Sequence, residues 1–168
     1  MPVNVEIKAR ASDWPAQLKS GLALADRTER LVQKDTFFNC ANGRLKLREQ
    51  GGAGAYLVFY RRAGLKGPKV SSYTIVPVPH PERTLKTLSA ALGVKAKVIK
   101  KRLVCFSGRT RLHFDEVKNL GRFIELEVVL KPGEAAAAGR REAKRLMLAL
   151  GIRKNDLLAN AYADMLER

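Results

Sequence analysis

The chain has no long apolar run, and it has few cysteines or histidines among its 168 residues. Its apolar runs are too short to span a bilayer as a helix, which excludes a helical membrane protein. Glu6 and Lys8 interrupt the N-terminal segment, so we expect no signal peptide. Cys40 and Cys105 lie far apart, which excludes a disulfide scaffold and predicts a cytoplasmic protein. With two histidines, a zinc site is not expected.

Negative charge is also scarce. The chain has 32 Lys and Arg residues against 16 Asp and Glu residues, which gives a net charge of +16. Such an excess favours an anionic partner, which would be nucleic acid, an anionic membrane or a small polyphosphate. A basic surface without a specific ligand would have the same composition. Because hydrophobic residues make up 46% of the chain, it is not a disordered, charge-dominated polymer.

The apolar and polar residues follow patterns that predict eight strands and four helices in a single domain covering residues 1–168. Hairpin-length connections join several strands, so the sheet is expected to be mainly antiparallel. Ser12 is the predicted N-cap of the first helix, and Asn155 or Asp156 of the last. The predicted strands are 3–10, 27–38, 44–49, 56–62, 69–78, 95–106, 110–117 and 122–130, and the second and third helices are 82–92 and 134–150.

Charged residues repeat at every second position of these strands. Residues two apart on a strand lie on one face of the sheet. An open sheet with one face in water produces this pattern. So does a closed barrel of eight strands with a polar, basic interior. The sets that share a face are Arg44, Lys46 and Arg48; Lys100 and Arg102; Arg111, His113 and Asp115; and Glu125 and Glu127.

A basic barrel interior would require an anionic ligand, because an uncompensated buried charge costs several kcal/mol. A triphosphate with a bound cation meets this requirement, since arginine binds phosphate oxygens through two parallel hydrogen bonds. Glu6, Glu125 and Glu127 are then the candidate ligands for Mg²⁺ or Mn²⁺, which bind carboxylates and phosphate oxygens together.

At this point the sequence resembles the CYTH, or triphosphate tunnel metalloenzyme, superfamily, over nearly the whole chain. The E-x-E-x-K hallmark of the first strand appears as Asn4-Val5-Glu6-Ile7-Lys8, with asparagine in place of the first glutamate. Asparagine offers a cation an oxygen but no charge, which weakens a second metal position. The further segments look most like the class IV adenylyl cyclase branch, and they are QKDTFF at 33–38, GRLKLRE at 43–49, YR at 60–61, KVSSY at 69–73, VIKKR at 98–102, RLHFD at 111–115 and LGRFIELE at 120–127.

The resemblance implies an α+β fold, a closed eight-stranded antiparallel barrel or tunnel with flanking helices, that binds a triphosphate compound with Mg²⁺ or Mn²⁺. It implies Glu6, Glu125 and Glu127 as metal ligands, to which we add Asp115. Lys8, Glu6 and Glu127 are the expected catalytic residues. The expected phosphate-binding residues are Lys8, Arg44, Lys46, Arg48, Arg61, Lys69, Lys100, Arg102 and Arg111.

Two reactions fit such a tunnel. Attack by water on a terminal phosphorus makes the protein a triphosphatase, whereas attack by a ribose hydroxyl on the α-phosphorus makes it an adenylyl cyclase that releases pyrophosphate. We rank hydrolysis first, because water is always present and no nucleoside-specific pocket is visible in the sequence. Lys8, whose pKa neighbouring cations would lower, and a metal-bound carboxylate are alternative proton acceptors.

A third possibility is a non-catalytic protein that binds polyphosphate or RNA. Much of the positive charge lies outside the predicted tunnel, including Arg140, Arg141, Lys144 and Arg145 on the third helix. A solvated helix face explains this cluster as well, and no aromatic residues interleave the basic stripes as stacking platforms for bases. We therefore expect a small triphosphate compound as the main partner, weak polyanion binding on the outer surface, no membrane, and a monomer or homodimer.

Overall fold

The structure is a computed structural model, and it describes residues 1–166. The strands are β1 (Val3–Arg10), β2 (Arg27–Phe38), β3 (Arg44–Gln50), β4 (Gly54–Arg62), β5 (Lys69–Pro77), β6 (Val94–Ser107), β7 (Thr110–Val117) and β8 (Gly121–Val129). The helices are α1 (Trp14–Leu24), α2 (Pro81–Leu92), α3 (Ala136–Ala149) and α4 (Tyr162–Leu166), and a 3₁₀ turn covers Lys154–Asp156. None of these helices is long and apolar enough to cross a membrane.

The eight strands close into one antiparallel barrel in the order β1-β5-β4-β3-β2-β6-β7-β8. Strand β1 completes the ring, because it pairs with β5 on one side and with β8 on the other. Its pairing with β8 places Glu6 opposite Glu127 and Lys8 opposite Glu125. The predicted closed barrel with flanking helices is confirmed.

Period-two alternation sorts the strand side chains into an outer apolar set and an inner polar set. On β7 and β8, the outward residues Leu112, Phe114 and Leu126 are fully buried beneath helices. Leu146 of α3 and Trp14 of α1 pack in the same cluster. Apolar burial of this kind is the main favourable contribution to folding. The hydrophobic core therefore lies outside the barrel wall, and the interior is left to polar side chains.

Helix α1 begins one residue later than the sequence indicated. Asp13 is the N-cap, and its side chain accepts a hydrogen bond from the backbone N–H of Ala16. Ser12, the predicted cap, instead donates its hydroxyl to Asp156 at 3.1 Å. Both residue types cap helices well, so tertiary contact with the C-terminal region decides which of them does so.

The C-terminal region is not the single helix that the sequence predicted. After the 3₁₀ turn the chain runs extended to α4, and it is held to the barrel by long-range contacts. The backbone N–H of Leu158 donates to the carbonyl of Lys8 at 2.9 Å, and Leu157 bridges Ala9. These bonds to β1 replace helical ones, so the segment lies across one end of the barrel. The prediction of a single domain over residues 1–168 stays a prediction, since positions 167 and 168 lie outside the described residues.

Replacing Gly21 by alanine tests the packing of α1 against the barrel. An added Cβ would lie 2.3 Å from the ring tip of the buried Phe114, which is a steric clash. We expect Gly21→Ala to lower the free energy of unfolding by about 1–3 kcal/mol, measured by urea denaturation. Gly64→Ala is the matched control, because its Cβ would meet nothing within 4 Å. Equal stability of the two variants would contradict this packing.

Candidate active site

The barrel encloses a polar cavity of about 320 Å³, at the lower end of the range for small-molecule sites. Strands β1 to β6 each contribute at least three residues to its lining, and strands β7 and β8 contribute two residues each. Tyr162 and Ala161, from the segment across the barrel end, complete it. The fold thus brings inward-facing charges from distant parts of the sequence into one small space.

Glu125 joins the cations of two strands. Its carboxylate lies 2.6 Å from Lys8 Nζ and 2.7 Å from Arg102 Nη2. Arg102 in turn donates two hydrogen bonds to Asp115, at 2.7 and 2.6 Å, and Tyr162 donates its hydroxyl to the same carboxylate at 2.8 Å. Although burial alone would raise the pKa of Glu125, Lys8 and Arg102 hold it well below its usual range.

Lys8 is buried between this carboxylate and an aromatic ring. Its ammonium nitrogen lies 3.5 Å from the ring centroid of Tyr162, a cation–π contact. Burial lowers the pKa of Lys8, and the nearby Arg62 lowers it further, while Glu125 opposes both. The lowered pKa agrees in direction with the expectation from the sequence, but desolvation is its main cause rather than neighbouring cations.

His113, Glu125 and Glu127 form a cluster of potential metal ligands. One donor atom from each lies within 4.8 Å of the other two. His113 Nδ1 is 3.5 Å from Glu125 and 3.9 Å from Glu127, and this buried nitrogen makes no hydrogen bond with the described residues. Two carboxylates with an imidazole suit a divalent cation such as Mn²⁺, so these residues fit the metal that the family resemblance implies.

The sequence missed His113 as a ligand, although a signal was present. His113 lies two residues from Arg111 and from Asp115 on one strand, so alternation places all three on the same face. A single histidine among charged residues is equally consistent with a hydrogen-bonding role. Only the register of β7 with β8, which pairs His113 with Glu125, brings it to the carboxylates.

The other two predicted metal ligands lie outside this cluster. The Glu6 carboxylate accepts a hydrogen bond from Arg62 at 2.6 Å. Both oxygens of Asp115 are occupied by Arg102 and Tyr162, and Asp115 is fully buried behind the cavity wall rather than part of its lining. The assignment of Asp115 as a metal ligand is therefore corrected to that of a partner for Arg102.

A second carboxylate centre lies on the β2–β3–β6 side of the cavity. Asp35, which is 1% exposed, accepts hydrogen bonds from Lys46 at 2.9 Å, from Arg48 at 2.7 Å to each oxygen, and from Lys100 at 3.2 Å. Burial, and then the nearby Arg48, lower the pKa of Lys46 to about 7, whereas Asp35 opposes them. Burial is also the main cause that lowers the pKa of Lys100 to about 8. We call these four residues the Asp35 cradle.

Arg61 is exposed on the outer surface of β4, and its predicted place in the tunnel is corrected to Arg62. The Arg61 side chain donates to the carbonyl of Asn42 at 3.1 Å and does not line the cavity. Arg62 lines the cavity together with Tyr60, two residues before it on the same face. Two adjacent arginines give the same compositional signal, and only strand register decides which one points inward.

Arg44 and Lys69 are also outside the main cavity. Arg44 makes two hydrogen bonds to Asp164 of α4, at 2.8 and 2.7 Å, beside a second cavity near the barrel end. The Lys69 ammonium donates to three backbone carbonyls, those of Leu65, Leu158 and Ala159. The predicted phosphate-binding residues that do line the main cavity are Lys8, Lys46, Arg48, Lys100, Arg102 and Arg111.

These lining cations are paired within the protein, which corrects the expectation of an uncompensated basic interior. Besides the pairs already described, Arg111 lies 3.0 Å from Glu127. Asp35 alone accepts hydrogen bonds from three of these cations, Lys46, Arg48 and Lys100. The interior therefore tolerates its charges without a ligand, and a polyanion would have to exchange with existing carboxylate partners.

The sequence of this chain matches a known family, and its fold matches solved structures. The family model for the CYTH domain matches residues 3–162. The chain belongs to the CYTH family. Among solved structures, the PH1012 protein of Pyrococcus horikoshii OT3 superposes with a TM-score of 0.82 at 17% identity, covering 96% of this chain and 98% of that one. No curated protein gives a significant match.

Two further solved structures superpose on nearly the whole chain, and one of them has a described activity. A putative adenylate cyclase from Vibrio parahaemolyticus has a TM-score of 0.70 at 19% identity, covering 98% of each chain. The putative adenylyl cyclase HpAC1 from Hippeastrum, described as having a dominant triphosphatase activity, has a TM-score of 0.65 at 13% identity and covers 99% of this chain and 94% of its own. At these identities, the likeness shows a shared fold.

The pKa of Lys46 predicts how anion binding depends on pH. Lys46 is protonated below its pKa of about 7 and neutral above it, so the affinity for inorganic tripolyphosphate should fall as pH rises through 7. The loss should continue near 8, where Lys100 gives up its proton. Isothermal titration calorimetry on wild type and Lys46→Arg checks this, since arginine stays charged. Because both proteins bind the same ligand, the ionisation of tripolyphosphate affects both titrations equally. Identical pH profiles would show that Lys46 does not titrate in this range.

The two adjacent arginines of β4 provide a matched pair of variants. Arg62→Ala removes an inward cation and leaves Glu6 unpaired in the cavity, so we expect tripolyphosphate affinity to fall about tenfold or more. Arg61→Ala removes the same charge from the outer surface and should change affinity by less than about twofold. Calorimetry at fixed salt measures both. A larger loss in Arg61→Ala than in Arg62→Ala would reverse the placement of these side chains.

Proposed function

We propose that this protein is a divalent-metal-dependent phosphohydrolase that cleaves a triphosphate compound in the barrel interior. The observation that carries the proposal is one cavity holding two complementary sets of side chains. His113, Glu125 and Glu127 offer ligands for a cation, and the Asp35 cradle with Arg102 offers donors for phosphate oxygens. Family membership and the triphosphatase activity described for HpAC1 support the same conclusion.

The side chains would act mainly by holding and neutralising the phosphate groups. Arg48 and Arg102 present planar forks that match phosphate oxygens, and Lys46 and Lys100 supply compact charges beside them. Phosphoryl transfer gains most from such positioning and from stabilising the charge that develops on the oxygens. Arg111 and Arg62 would extend this binding toward the metal-ligand side of the cavity.

A divalent metal, when bound by His113, Glu125 and Glu127, would neutralise phosphate charge and make water a better nucleophile. We propose Glu127 and Glu6, opposite each other on β8 and β1, as the carboxylates that orient the attacking water by accepting its hydrogen bonds. Lys8 would hold a phosphate oxygen and position Glu125, to which it is bound at 2.6 Å. The chain's own contribution is thus orientation and charge.

An adenylyl cyclase reaction is the second candidate, and the lining of the cavity gives it one specific support. Leu31 of β2 and Val104 and Phe106 of β6 add apolar surface to the lining, beyond the cradle residues along these strands. Val58 of β4, opposite Lys46, and Ile75 of β5, opposite Val58, add more. Such a surface can accommodate the organic part of a nucleotide. Cyclisation would also require that a ribose hydroxyl reach the α-phosphorus. Three of the structurally similar proteins are themselves described as putative adenylate cyclases, although one of them, HpAC1, is described as having a dominant triphosphatase activity.

Other expectations from the sequence stay predictions. They are weak polyanion binding on the outer basic surface, and a monomeric or homodimeric state. On α3, Arg145 is paired with Glu142 at 2.8 Å, which favours the solvated helix face.

A product assay tests the proposal. The protein is incubated with Mg²⁺ or Mn²⁺ and, separately, with ATP, inorganic tripolyphosphate and thiamine triphosphate. We expect orthophosphate from at least one substrate, a loss of about 100-fold or more in kcat for Glu127→Gln, and no turnover with EDTA. Glu116→Gln is the control, because Glu116 is an exposed carboxylate on the outer face of β7. Cyclic AMP with equimolar pyrophosphate would select the cyclase reaction instead, and turnover unaffected by EDTA would exclude metal dependence.

A further inference from the structure

Asp35 occupies the hydrogen-bond donors that a phosphate group would use. Its two oxygens accept four hydrogen bonds from Lys46, Arg48 and Lys100, and Arg48 binds it through two parallel bonds at 2.7 Å. Guanidinium groups bind phosphate in the same bidentate manner. Asp35 is 1% exposed and is oriented into the cavity that its three partners also line. The carboxylate therefore lies where the oxygens of an anionic ligand would be bound.

This arrangement differs from ordinary surface ion pairing. The three cations come from two strands, β3 and β6, whereas Asp35 lies on β2 between them, and strand pairing places Arg48 directly opposite it. Arg102, one position further along the inner face of β6, has its own carboxylate partners, Asp115 and Glu125. Asp35 is thus the main anion beside Lys46, Arg48 and Lys100, and it has no other partner in the described structure.

We propose that Asp35 is an internal anion that sets the affinity of the barrel for phosphate, because it competes with the ligand for Lys46, Arg48 and Lys100. The inference rests on the proposed function, since it assigns these cations to phosphate binding. An incoming phosphoryl group must share or displace the carboxylate contacts, and it meets the repulsion of a like charge at close range. The same repulsion speeds the departure of product. Asp35 acts through its neighbours and is a positioning residue.

An alternative role for Asp35, that of organising the three cations, predicts the opposite change in anion affinity. If Asp35 only keeps the three cations in place for the ligand, its removal would disorganise the cradle and weaken anion binding. If it competes, its removal strengthens anion binding. The sign of the change in affinity for Asp35→Asn, which keeps the shape of the side chain and removes its charge, separates the two roles.

The experiment measures binding of inorganic tripolyphosphate by calorimetry in EDTA, without metal or turnover. It is done at pH 5.5, below the pKa of about 7 of Lys46, so that the lysines carry charge. We expect Asp35→Asn to bind about tenfold more tightly than wild type or better, with a steeper loss of affinity as salt increases. In metal-supplemented assays, kcat and KM should both fall, because product leaves more slowly. Glu49→Gln is the matched control, since Glu49 lies on β3 and pairs with Lys34 on the outer surface.

Unchanged or weaker binding by folded Asp35→Asn overturns the inference and leaves the proposed function standing. Binding by Asp35→Asn but not by wild type supports the inference and counts against the proposed activity. Absence of binding by both overturns the inference, and the product assay with metal then decides the proposed function. If Asp35→Asn does not fold, carbon-13 NMR of aspartate-labelled wild type replaces it. The Asp35 carboxyl resonance, assigned by its absence in Asp35→Glu, should shift when tripolyphosphate withdraws its partners, and an unmoved resonance overturns the inference.

Discussion

A cation that points into a closed barrel must be paired there, because the strands on every side remove it from bulk water. Leaving such a charge unpaired costs several kcal/mol, a large part of the stability of a domain of this size. In this protein three carboxylates, two of them fully buried and one half-buried, hold most of the inner cations. The fold and the site therefore depend on the same ion pairs, and they are Asp35 with Lys46, Arg48 and Lys100; Asp115 with Arg102; and Glu125 with Lys8 and Arg102.

Much of the fold could be predicted from the sequence, because alternation with a period of two is preserved along most of the barrel wall. Lys46 and Leu47 illustrate it: the first lies in the cavity and the second is fully buried on the outer face. The C-terminal region lacked such a signal. Its five-residue helix α4 is too short to be stable alone. The region is positioned by contacts with residues remote in sequence, which are Lys8, Lys69 and Arg44.

The candidate site was predicted less completely, because side-chain partners depend on strand register. Arg61 and Arg62 are equivalent by composition, and only the inward direction of Tyr60 distinguishes them. His113 becomes a potential ligand only beside Glu125. Asp35 is followed by threonine and two phenylalanines, a pattern that indicates a strand but no ion pair. Its partner Lys100 lies 65 positions away in the sequence. Sequence patterns indicated which residue types share a face, and pairing across strands decided what each of them contacts.

The closure of the barrel by its first strand has a consequence for synthesis of the protein. Strand β1 is made well before β8, yet Asn4 pairs with Val129 and Lys8 pairs with Glu125. Until β8 has been made, the charged side chains of β1 have no closed barrel interior around them. The contacts between β1 and β8 are distant in sequence, and such contacts form slowly. During synthesis β1 can pair with β5 on one edge, whereas its other edge stays open until residues 121–129 of β8 have been made. The closed cavity, with the groups that could hold a metal or a phosphate, forms only after β8 has joined β1.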